Sequence, residues 1–299
     1  MQAISVKLGV QAGVQSGLQR LNRRDPGFGP ALRRDDTHRH RIESGRLVSS
    51  VELNHVSLIV YQVPASRVLI DLPPGTMLTT SISDGEEMAW VSVVSCIDRG
   101  LGGVESTTYR LHVTDGDLAA HVILGVSVGS LSSVGARNLW QMPWHLGAME
   151  LQAAYDTRQG CYTGYRLQTQ SQWESACWEI NDSGKMLTSE TVGKLGIPVT
   201  VLSDQVRLLY SRPDHPEGYL SGMDIVYGGW AMTSGELSTA RSEFLERSGL
   251  LKREELKRPV LVGLQPRGSL LLATAPIDRF SRTGRTVARV RGSALTGLQ

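Results

Sequence analysis

Two Asp-Gly pairs constrain this chain more than any other feature. Asp84-Gly85 lies between residues 76–83 and 86–96, and Asp115-Gly116 lies between 107–114 and 117–128. Tight hairpin turns need positive φ, which Gly supplies at no steric cost and Asp tolerates better than most residues. The flanking runs are rich in Val, Thr, Ile and Tyr, which suit a pleated surface. Two antiparallel hairpins in close succession are therefore expected, and not the strand–helix–strand rhythm of a parallel sheet.

The second hairpin yields a register. If Thr114 pairs with Asp117, then Leu111 faces Ala120 and Tyr109 faces Val122, which makes one face apolar. The opposite face carries Arg110, His112 and His121, with Arg110 across from His121. On an open sheet such a face meets solvent. On a sheet curled into a barrel it lines a polar cavity.

Further strand-like runs follow. Residues 56–63 read as a buried strand, and 65–72 as a short helix before the turn Leu72-Pro73-Pro74-Gly75. Residues 160–170 and 173–180 look like a pair closed by a turn at 181–184, and 200–210 with 218–230 make another. A helix is expected over 236–247, capped by Ser234 and stopped by Gly249, with last strands at 259–264 and 269–273. Many short strands and few helices indicate an α+β fold. It is mostly antiparallel β, a strongly curved sheet or barrel around a cavity with a few flanking helices.

Residues 125–149 read GVSVGSLSSVGARNLWQMPWHLGAM. Val126 and Val128 open the stretch as a strand, Gly129 and the serines turn it, and Ala136, Leu139 and Trp140 carry a short helix that Pro143 ends. Arg137, Trp140, Trp144 and His145 fall within nine residues. The stretch is either a corner whose tryptophans anchor the core, or a pocket wall with an anion-binding arginine, a titratable histidine and apolar cover. Glu105, at the start of a strand, is either a surface acid or an acid at the mouth of the cavity.

Charge divides the chain. Residues 1–46 carry nine Lys/Arg against four Asp/Glu, and 279–299 carry five Arg and no acid. The body, 47–278, holds the remaining 17 basic and 25 acidic residues, a net of −8. One domain over 47–278 is expected, with a basic extension at 1–46 and a basic disordered tail at 279–299. An acidic body gives no reason to expect nucleic acid. No apolar run approaches the roughly 20 residues of a membrane span. Cys96, Cys161 and Cys177 form no CxxC pair, which fits a reducing compartment. A cytoplasmic location is expected, or an organellar one if the acid-free residues 1–24 are a targeting peptide.

The chain has no GxGxxG after a strand, no phosphate-binding loop, no HExxH and no GxSxG, and its histidines show no metal-ligand spacing apart from the weak pair His38 and His40 in a charged run. No metal and no cofactor are expected. The segments HVSLIVYQVP, LPPG, DGEEMAWVSVV, YRLHV, MPWHLGAM, YRLQTQSQW, GYLSGMDIVYGG and PVLVGLQ follow one another between residues 55 and 265. Their order resembles the family catalogued as domain of unknown function 2071, grouped with the acetoacetate decarboxylase-like fold. The resemblance implies a single α+β domain with a strongly curved antiparallel sheet around a cavity, and it implies no particular reaction.

Acetoacetate decarboxylases proper work through a lysine imine. This chain has no lysine between Lys7 and Lys185, and the segment at the corresponding position offers Arg137 and His145. A guanidinium cannot form the imine. The expected function is binding of a small anionic, oxo-acid-like molecule in an internal cavity without a Schiff-base lysine. The alternative is a small-molecule lyase or hydrolase that uses Arg/His electrostatics and acid/base chemistry. His145, Arg137 and Glu105 are the catalytic candidates. Arg110, His112, His121, Trp140 and Trp144 are the ligand-binding ones. The expected partner is a small anion, and the sequence also allows a homo-oligomer.

Overall fold

The computed structural model describes residues 46–70, 72, 75–99, 103–130, 143–211, 220–228 and 231–274. Arg137 and Trp140 lie outside the described residues. The strands are β1 (Arg46–Pro64), β2 (Thr76–Leu78), β3 (Thr80–Ser83), β4 (Glu86–Asp98), β5 (Val104–Asp115), β6 (Leu118–Val128), β7 (Trp144–Leu146), β8 (Ala148–Asp156), β9 (Cys161–Gln170), β10 (Ser175–Met186), β11 (Gln205–Ser211), β12 (Leu220–Tyr227), β13 (Thr233–Ser242) and β14 (Leu261–Thr274). Two short helices, α1 (Ser189–Lys194) and α2 (Glu243–Arg247), accompany them.

The order β1-β4-β5-β6-β11-β12-β14 closes because β14 also pairs with β1, giving a barrel of seven strands. Only β6–β11 is parallel among the barrel pairings. From β14 the sheet continues through β13, β10 and β9 to β8 as an outer layer. Among the described residues the ladder pairs that join the two parts are Thr233↔Leu264 and Ser234↔Gly263. The fold is thus mostly antiparallel and strongly curved, as the hairpin signals require.

The first hairpin forms as expected. Ser83 pairs with Glu86, and Asp84 and Gly85 sit between them at φ 52° and 79°. The second differs by two residues. Asp115 pairs with Leu118, so Gly116 and Asp117 are the central residues, and only Gly116 (φ 60°) is positive. A glycine alone at the first central position is the pattern of a II′ turn. His112 therefore lies opposite His121, and Arg110 opposite Ile123. Leu111 meets Val122, and Tyr109 meets Gly125 across a bulge. An even shift keeps every side chain on its expected face.

Those two faces become the outside and the inside of the barrel. Tyr61, Val93, Tyr109, Leu111 and Val122 join Tyr165, Leu167 and Trp178 of the outer sheet and Leu245 of α2 in the main core. The alternate residues point inward. Leu58, Val60, Trp90 and Val94 pack there with Met232 and with Ile197 and Val201, which follow α1. The face carrying Arg110, His112 and His121 is interior, not solvent-facing.

Other expectations change with the topology. Among the described residues of 65–72 the helical structure is a 3-10 turn at Ala65–Arg67. The helix expected over 236–247 shrinks to α2, because 233–242 pairs with β10 as a strand. Leu237, Ala240 and Phe244 are spaced acceptably for either structure, and pairing decides. Ser242 replaces Ser234 as the cap, accepting from Leu245 N, while Gly249 (φ 73°) ends the turn as expected. The turn expected at 181–184 lies within β10, where the register with β13 is irregular and Gly184 takes φ 67°. The two last strands are one, β14.

A buried cation and two histidines inside the barrel

Arg110 projects from β5 into the barrel, and only 7% of it is exposed. Its Nη1 donates to the Tyr227 hydroxyl at 2.6 Å, and its Cζ stands 5.8 Å from that ring's centroid. Ser92 on β4 is its cross-strand neighbour. The Ser92 hydroxyl meets His112 Nε2 at 2.9 Å. The His112 and His121 rings meet edge to face, with centroids 4.3 Å apart. Both histidines are buried.

Polar atoms in this interior go unanswered. Among the described residues, Arg110 Nε, His112 Nδ1, both ring nitrogens of His121 and Trp90 Nε1 have no hydrogen-bond partner. Nor does any carboxylate among them form an ion pair with Arg110. Buried polar groups are nearly always satisfied, and a buried charge is normally paired. A guanidinium edge and several ring nitrogens are thus left open on one face of the barrel interior.

Burial, with Arg110 adding to it, lowers the His112 pKa to about 3. Burial, then His112 and Arg110, hold His121 well below the ordinary histidine value. Both are neutral at neutral pH. The unfolded chain takes up protons near pH 6.5 that the folded interior refuses, so this contribution to stability is present above that pH and is lost on acidification. Urea unfolding at pH 6.5 and pH 5 is expected to show stability falling by up to about 1.4 kcal/mol per pH unit for each histidine. A His112→Asn/His121→Phe double variant should lose most of that slope; an unchanged slope would mean the rings ionise in place.

Of the other described candidates, Glu105 and His145 lie on the opposite face from this group. Glu105 is half-buried and alternates to the opposite face of β5 from Arg110. It contacts Gly129, whose N–H donates to the Glu105 carbonyl at 3.0 Å. His145 pairs in register with Ser127, on the outward face of β6. Its ring stacks on Trp173 with centroids 4.4 Å apart, and Trp173 stacks in turn on Phe244. Gly125 is required there, because a Cβ would lie 2.1 Å from the Trp173 ring. Trp144 pairs in register with Val126 on the inward face, is half-buried, and packs against the apolar cluster that contains Ile123, the residue opposite Arg110. The crowding of Trp144 and His145 in sequence thus splits across two faces of a three-residue strand.

Sequence reasoning missed Tyr227, Ser92 and Trp90. Ser92 becomes findable only once β4 is registered against β5, and Tyr227 lies 117 residues from Arg110 with no local signal. It also missed Glu174, which is fully buried outside the barrel. Its carboxylate accepts from the Tyr109 and Ser242 hydroxyls and from Phe244 N. Burial raises its pKa, and those hydrogen bonds partly oppose the rise. With all of them in place it is a strut between barrel, outer sheet and α2.

Among the described residues no group of three or more His, Cys, Asp or Glu is placed to hold a metal ion, and no helix is long and apolar enough to cross a membrane. No protein-family model matches the sequence, and no curated protein does. Solved structures that it is similar to include the following three. Acetoacetate decarboxylase from Legionella pneumophila is 14% identical with a TM-score of 0.49, covering 78% of this chain and 89% of that one. The enduracididine biosynthesis enzyme MppR with HEPES buffer bound is 11% identical with a TM-score of 0.46, covering 77% and 87%. An acetoacetate decarboxylase-like enzyme from Sphingomonas wittichii RW1 is 12% identical with a TM-score of 0.43, covering 76% and 91%. At these identities the likeness concerns architecture alone, and the chemistry is read from the chain's own residues.

Proposed function

We propose that the barrel interior binds a small anionic, oxo-acid-like molecule, and that it does so without a lysine imine. The observation that carries this reading is Arg110, a buried guanidinium that no carboxylate among the described residues neutralises. An uncompensated buried charge costs several kcal/mol, and a ligand carboxylate removes that cost with charge-assisted hydrogen bonds. Tyr227 holds one edge of the guanidinium and leaves Nε for the ligand. The neutral His121 ring can donate to or accept from a second, uncharged oxygen such as a ketone. A carboxylate next to a carbonyl meets both demands.

The lysines support the second half of the proposal. Lys185, Lys194, Lys252 and Lys257 are all exposed, and Lys194 is ion-paired to Glu190 at 2.6 Å on the surface of α1. Calorimetric titration with pyruvate or acetoacetate is expected to show saturable binding. Borohydride treatment of the same mixture should leave the protein mass unchanged. A stoichiometric reduced adduct would overturn the claim of a non-covalent site.

A lyase or hydrolase acting on the same anion is the second reading, favoured by the two open nitrogens of His121. In it Arg110 stabilises developing negative charge, and the bound anion, by offsetting the Arg110 charge that opposes protonation, lets the His121 imidazole accept a proton. Membership of the domain of unknown function 2071 family belongs to this proposal too, supported by the order of the motifs along the chain.

A further inference from the structure

The barrel has no free edge, but the outer sheet has one. β8 ends the strand order, and among the described residues nothing pairs with its far side. The strand is nine residues long, AMELQAAYD, with no Pro, Lys or Arg to blunt it. Proteins normally protect such an edge, because its unpaired N–H and C=O groups are a template for another strand. Its inward residues Met149, Leu151, Ala153 and Tyr155 pack on the main core yet remain half-exposed at the edge. A strand added there would cover them.

We infer that β8 pairs antiparallel with β8 of a second copy of this chain, about a two-fold axis at Gln152. The sequence is self-complementary in that register. Met149 meets Tyr155 and Leu151 meets Ala153 on the inner face. Glu150 meets Ala154 and Ala148 meets Asp156 on the outer face. No like charges oppose one another. Moving the axis to Ala153 would set Glu150 against Asp156, and moving it to Glu150 would set that residue against itself.

Sedimentation of the full chain is expected to give a dimer. Ala154 and Glu150 are exposed, so substitutions there leave the core untouched. Ala154→Glu places two like-charged pairs across the axis and should weaken the dimer about tenfold. Adding Glu150→Lys turns both pairs into opposite charges and should restore it. In a Cys161→Ser/Cys177→Ser background, Gln152→Cys should form a disulfide-linked dimer under mild oxidation. A monomeric wild-type chain would overturn the inference. So would a dimer indifferent to Ala154→Glu, which would place the interface elsewhere.

Discussion

The Arg110→Met variant is expected to bind pyruvate at least about 100-fold more weakly than wild type, the loss of about 2.7 kcal/mol of charge-assisted hydrogen bonding. It should also be more stable than wild type in the absence of ligand. Methionine keeps most of the buried stem volume and removes a cation that no carboxylate among the described residues offsets. Replacing buried charge by a well-packed apolar side chain often stabilises by about 1–4 kcal/mol. The Tyr227 hydroxyl loses a donor, which gives back about 1 kcal/mol. Weaker binding together with higher stability separates a ligand-binding arginine from a structural one. A structural arginine would lower the melting temperature when removed.

The largest loss of stability is expected at Trp178. The side chain is 1% exposed and sits where the outer sheet packs on the barrel, among Tyr109, Leu167 and Leu245. Trp178→Ala should cost about 3–5 kcal/mol in denaturant unfolding. Trp144→Ala should cost less, about 1–2 kcal/mol, because that ring is only half-buried and the neighbouring structure can relax over it. Equal costs at the two positions would mean that the outer sheet is not part of the cooperative core.

What could be read from the sequence follows from how local each signal is. The Asp84-Gly85 turn is set by two residues, and it formed where expected. At Asp115-Gly116-Asp117 the same chemistry allowed two turns, and the structure uses the one centred on Gly116-Asp117. The face assignment survived because strand side chains repeat every two residues. That is why Arg110, His112 and His121 could be grouped from sequence. Whether they met water or a cavity depended on β14 pairing back to β1, a contact between residues some 200 apart that no local pattern encodes. Residues 236–242 failed for the same reason: pairing with β10 outweighed a helical spacing of apolar residues. His145 and Glu105 were drawn to the site by closeness in sequence or by strand position. Parity along β7 and β5 sends both to the other face.

A crystal structure with pyruvate bound tests the central proposal most directly. Density for the carboxylate is expected inside the barrel, within hydrogen-bond distance of the Arg110 guanidinium, with the keto oxygen near His121. Pyruvate found only outside the barrel, or an Arg110 already paired with a carboxylate of the chain itself, would contradict it.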